Sequence, residues 1–168
     1  HYLSANPMFD HSLDQMNHNP FGRREKLWDN PEFWSSKLHT VPPSATLDRL
    51  VYVTEETDRR VVAHLLQPHY PFVVDSDETA GIAGDHMEWV RSEDGNPQTN
   101  PWKMVRDGNI DGETVWKAYE RSTEYVLSLV EERIEALPGR TVVTADHANS
   151  LCGWSLTGLG RVYGHPMN

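Results

Sequence analysis

The residues best equipped for chemistry are Asp146 and His147, which stand side by side directly after the β-branched run Thr141-Val142-Val143-Thr144. A carboxylate next to an imidazole offers a hard oxygen and a borderline nitrogen, a good pair for a divalent metal such as zinc. A loop Asp capping the next helix beside a surface His is the plainer alternative. His69 is bracketed by Pro68 and Pro71, which fix its backbone as a working side chain requires. A structural His in a Pro-rich turn would look the same. His165 lies between Gly164 and Pro166, 18 positions after His147, close enough in sequence to return to one site. His64 falls inside an apolar run and reads as packed on a sheet.

The elements that must position these groups are legible around them. Arg60 to Gln67 is an almost continuous apolar run, as expected of a strand covered on both faces, and Pro68 ends it. Thr141 to Thr144 reads as a second buried strand. Between the two lies the clearest helix, from Asp111 as N-cap to about Leu137, with Val115, Trp116, Tyr119, Thr123, Val126, Leu127, Val130, Ile134 and Leu137 as its apolar stripe. Pro138-Gly139 stops it. Strand, helix and strand in that order form a crossover, so the two strands are predicted to be parallel, with a right-handed connection. His69 and Asp146 would then both lie beyond carboxyl ends, where open α/β sheets bind ligands.

The remaining chain is less regular. His1 to Ser4 reads as the end of a strand whose beginning is lost, broken by Asn6-Pro7. Met8 to Pro43 shows no sustained period and reads as a long excursion pinned by Phe9, Phe21, Trp28, Phe33 and Trp34. Ser44 is a plausible N-cap for a helix through about Glu56, with Leu47, Leu50 and Val51 at i, i+3 and i+4, while the β-branched Val51, Val53 and Thr54 leave a strand reading open. Asp75 to Pro101 reads as a polar flap, followed by a helical turn at Trp102 to Val105. The fold class is α/β, a mainly parallel sheet flanked by helices, in a single domain over residues 1–168.

Composition narrows the functional classes. A net charge of -10 argues against a nucleic-acid partner, which would need a basic patch. Arginine outnumbers lysine and acids outnumber both, a balance shared by proteins of high-salt cytoplasm. The single Cys152 excludes a disulfide framework and suits a reducing, cytoplasmic setting. No apolar run is long enough to cross a bilayer, and no signal-peptide pattern stands at the amino end. A first residue of His rather than Met points to a processed, tagged or partial chain.

Thr-Ala-Asp-His at 144 to 147, then a Gly-rich stretch and Gly-His-Pro at 164 to 166, resembles the carboxyl-terminal half of the alkaline phosphatase-like superfamily. More narrowly it resembles the sulfatase-like hydrolases, as they occur in salt-loving archaea. The stretch His-Leu-Leu-Gln-Pro-His-Tyr-Pro-Phe at 64 to 72 is similar to that family's strand ending in a Pro-His turn. The resemblance implies hydrolysis of a small-molecule sulfate or phosphate ester beside a divalent metal, whether zinc, calcium or manganese. It implies Asp146 and His147 as metal ligands, His69 as the group that approaches the ester, and His165 as a further ligand or contact.

It also implies a first metal-binding acid and a nucleophile upstream of His1, so that these residues hold half of an active site. Ala148 stands where the family carries Gly, and Gly153-Trp154 where it carries Gly-Glu. A rival reading is a non-catalytic domain that binds a metal or a protein partner. A third, a purely structural acidic domain, predicts that the His side chains point apart.

Overall fold

The computed structural model describes residues 1–16, 19–82 and 101–147, and the backbone of 150–154 and 161–164. Its centre is β1, Tyr2–Ser4, flanked by β2, Arg24–Lys26, and β3, Val62–His64. Both neighbours run parallel to β1, with Leu3 opposite Glu25 on one side and Ala63 on the other. The order β2-β1-β3 means that the chain leaves β1 toward one edge and later returns to the other.

Each face of this sheet is covered by one helix. Between β1 and β2 lies α1, Pro7–Gln15, which starts on Asn6: the Asn6 side chain accepts from the Phe9 N–H, and Pro7 occupies the first turn. It lies on the face that carries Tyr2, Arg24 and Lys26, because its Phe9 packs on Tyr2 and its Asp14 pairs with Arg24 and Lys26. Between β2 and β3 lies α2, Pro43–Glu56, on the opposite face. There Leu3 is fully buried with Leu27, Trp28, Val41, Val53 and Leu66, and Glu25 takes a two-pronged bond from Arg49.

A second core lies outside α2. The short helix α3, Pro101–Arg106, leads into α4, Gly112–Ile134, whose N-cap Asp111 accepts from the Thr114 N–H. Val115 and Ala118 of α4 are buried with Tyr70, Phe72 and Ile82. The far end of α4 reaches α2 through a 2.7 Å bond from Arg133 to Asp48. Ser150–Trp154 (β4) and Arg161–Gly164 (β5) pair antiparallel as a separate ribbon.

The parallel sheet, the strand at the amino end and both longer helices match the sequence expectation, except that α2 starts with Pro42 rather than Ser44 at its N-cap, its first turn being set by Pro43. Three local expectations do not. The excursion from Met8 to Pro43 contains α1, β2 and a 3-10 turn at Leu27–Asp29. Its signal is hidden because α1 buries Asp10 where an apolar residue would mark the stripe, and β2 is Arg-Glu-Lys. Such a strand is tolerable at a sheet edge, where charges also discourage further pairing.

The Arg60 to Gln67 run narrows to three residues of ladder. Thr141 to Thr144 is not a strand: the segment joins no ladder among the described residues, and Val142 and Val143 are 77% and 57% exposed. Without a neighbouring strand its β-branched residues gain nothing from an extended backbone, since strand propensity is mostly cross-strand packing. The crossover expected to end there is instead made by α2, between β2 and β3. The flap expected over 75–101 lies largely outside the described residues.

Candidate functional site

The order β2-β1-β3 reverses between β1 and β3, the chain leaving β1 toward one edge and returning at the other, and open α/β sheets bind ligands at the carboxyl ends beside such a switch point. Ser4 and His64 are the paired last residues of those strands. Ser4 is buried, and its hydroxyl donates to the Asn6 carbonyl while accepting the Asn6 N–H, which turns the chain into α1. Tyr2 lies on the same face as Ser4 and His64, and its hydroxyl meets His64 Nδ1 at 2.5 Å. Its ring stacks on Phe21 at 4.2 Å, and Phe9 stands edge-on to His64.

Charge reaches this pair from two carboxylates. Burial pushes the Tyr2 hydroxyl well above the ordinary phenol range, with Ser4 and Arg24 pulling it down and Asp10 and Asp146 adding to the rise. Burial lowers His64, while Asp146 and then Asp10 pull it back up. Asp146 therefore stands within electrostatic range of the switch point, although it is some eighty residues from His64 in sequence. Asp10 is fully buried and accepts from Trp28 Nε1 at 2.7 Å, with Arg24 at 3.5 Å.

Asp146 and His147 form a local unit. The His147 N–H donates to Asp146 Oδ1 at 2.9 Å, and the other carboxylate oxygen lies 3.6 Å from His147 Nε2. Zinc ligands at about 2.0–2.1 Å and a tetrahedral angle lie about 3.3 Å apart, so these two donors fit one cation after a small adjustment. Two protein donors leave the rest of the shell to water or to ligands from elsewhere. Among the described residues no group of three or more His, Cys, Asp or Glu side chains is arranged to hold a metal. His69, Asp146 and His147 are thus not gathered into one such group, and His165 lies outside the described residues.

His69 occupies a turn of its own. Its N–H bonds the Leu66 carbonyl at 3.0 Å, and the peptide bonds into Pro68 and Pro71 are both cis. Its Nδ1 lies 2.6 Å from the Tyr70 carbonyl. A carbonyl only accepts, so Nδ1 carries the proton and Nε2 is the lone-pair nitrogen of the neutral ring. That tautomer suits a metal ligand or a general base, and it becomes a donor to an anion only once protonated.

Two residues of this neighbourhood escape a reading of the sequence as chemistry. Tyr2 looks like one aromatic of a short strand, and His64 like a sheet-packed histidine; it is half-buried, as that reading expects. The available signal was positional: both fall at strand positions facing one way, and His64 at the end where ligands collect. No family model, curated protein or solved structure matches this chain.

Proposed function

We propose that this chain contributes to a divalent-metal-dependent hydrolase of sulfate or phosphate esters, of the alkaline phosphatase-like kind, working in a salt-rich cytoplasm. The observation that carries the reading is the pair of metal-type donors set side by side, Asp146 Oδ2 and His147 Nε2, 3.6 Å apart. The parallel sheet supports the reading, because its third strand runs on into the turn that carries His69. Asp146 and His147 would hold the cation, which supplies charge neutralisation for the ester oxygens. His69 takes up a proton at Nε2 and, so protonated, delivers it to the leaving oxygen. The attacking group would be supplied by a segment upstream of His1.

A second reading, a non-catalytic metal- or partner-binding domain, is favoured by the exposure of Asp146 and His147 and by their short donor set. Hydrolysis of aryl sulfates and aryl phosphates with added zinc, calcium or manganese separates the two. The chain alone should turn over negligibly, because a positioned nucleophile is worth roughly 7 to 11 kcal/mol of barrier. A version extended upstream of His1 should be active. In it His147→Ala should lose metal and activity together, whereas His69→Ala should lose activity and keep metal. An extended chain that binds metal and hydrolyses neither ester class would favour the non-catalytic domain.

A further inference from the structure

We infer that α4 carries a docking stripe for a second copy of this chain, the two helices pairing antiparallel about a two-fold axis level with Tyr125. The stripe is what remains of the apolar pattern once the core is assigned. Val115, Ala118, Ser122, Val126 and Leu129 form the buried face of α4. At about 100° per residue, Trp116, Thr123, Leu127, Val130 and Ile134 fall on a separate arc about 60° wide, turned roughly 110° from that face. Trp116 and Ile134 are 39% exposed and Leu127 is 48% exposed, with Thr123 and Val130 half-buried between them. Spacings of seven, four, three and four residues keep the stripe in line for about 27 Å, the kind of seam on which two helices interlock. The Trp116 ring is held in place, its Nε1 donating to Glu120 Oε1 at 2.7 Å.

Charge decides what fits the stripe. The flank beside it holds Lys117 and Arg121 toward the amino end and Glu124, Glu131 and Glu135 toward the carboxyl end, all exposed. Lys117 reaches Glu113 one turn back at 2.7 Å, an exposed pair that leaves further ammonium donors for another acid. A two-fold axis across the helices reverses one copy and sets this flank against itself. With the axis level with Tyr125, Trp116 lies opposite Ile134 of the other copy and Thr123 opposite Leu127, while Lys117 enters between Glu131 and Glu135. A parallel pair would set the flank against Tyr119, Val126 and Arg133, where Lys117 meets no carboxylate and Arg133 is already bonded to Asp48. Glu124 works against the antiparallel pair, because it lies beside its own mate near the axis. One helix pair is a small interface, below the roughly 1,200 Å² at which stable complexes begin, so the dimer is weak and dilute chain is monomeric.

Sedimentation equilibrium of the full chain over a concentration series tests the pairing. A reversible monomer–dimer equilibrium is expected, and Leu127→Asp should leave a monomer at every concentration with its circular dichroism unchanged. Lys117→Glu should weaken the dimer about fivefold to tenfold, since contacts change sign on both sides of the axis, and adding Glu131→Lys with Glu135→Lys should restore it. Glu124→Gln should tighten it. These charge changes lie on the exposed flank and keep the test intact even if Leu127→Asp fails to fold. A wild-type chain that stays monomeric throughout the series would overturn the proposal, and a dimer indifferent to Leu127→Asp would remove it from this stripe. Lys117→Glu without rescue by the charge swap would overturn the antiparallel register. Loss of the dimer in a chain extended upstream of His1 would show that the upstream segment, and not a second copy, covers the stripe.

Discussion

Leu3→Ala tests whether β1 is the strand on which everything else is mounted. Leu3 is fully buried in the middle of the central strand, among Leu27, Trp28, Val41, Val53 and Leu66. Removing its outer carbons forfeits their transfer energy and leaves a cavity, together about 2–5 kcal/mol for a buried leucine. The upper part of that range, about 3–5 kcal/mol, applies here. Strands bond β1 on both edges and α2 closes the face above Leu3, so the backbone cannot move in to fill the space. Against a total stability of about 5–15 kcal/mol the loss is large. Urea unfolding is the assay, with an unchanged slope and a midpoint lowered by about 1 M or more for slopes of about 1–3 kcal/mol/M. Leu127→Ala on α4, where the side chain is 48% exposed, is the control and should cost no more than about 0.5 kcal/mol. Equal losses in the two variants, or less than about 1 kcal/mol for Leu3→Ala, would refute a sheet centred on β1.

Two further outcomes concern pH. Burial lowers His64, so folding prefers its neutral ring; the stabilisation is complete above the unfolded value of about 6.5 and is lost as pH falls through the depressed folded value. His64→Gln should flatten the stability profile just below that pH, and a wild-type chain that gains stability on acidification there would contradict the burial. Asp14 is held down to about 2 by bonds from Lys26 and Arg24, so its contribution is present above 3.8 and disappears as pH drops toward about 2. Asp14→Asn should remove that part of the acid limb in a denaturation series, and an unaltered limb would place the ion cluster outside the folding balance.

What could be read in the sequence was whatever apolar periodicity reports. The apolar period marks α4, but only Val115 and Val126 of the stripe read from the sequence are buried; Ala118, Ser122 and Leu129 complete the buried face, while Trp116, Leu127 and Ile134 are exposed. Leu47 marks α2 in the same way, with Leu50 and Val51 of its stripe half-buried; Val53, which also suited a strand, is buried on that helix. The elements missed were those stabilised by charge. Helix α1 buries Asp10 against Trp28 and Arg24, and β2 is an edge strand whose Arg24, Glu25 and Lys26 each pair with a carboxylate or guanidinium on a covering helix. Thr141 to Thr144 erred in the other direction, because β-branched composition promises a strand only where a neighbour exists. The chemical residues were legible by type and spacing. The Tyr2–His64 contact was not, because it depends on the register of β1 against β3, which no local pattern encodes.

The most direct test of the central claim is a manganese titration followed by proton NMR line broadening. Asp146 and His147 should be the focus of the broadening, with weak affinity because two protein donors leave most of the shell to water. Asp146→Asn should abolish it, and Glu55→Gln with Asp58→Asn, at a surface acidic cluster, should leave it unchanged. Broadening centred on that acidic cluster, or undiminished in Asp146→Asn, would contradict the claim that the Asp-His pair holds the metal.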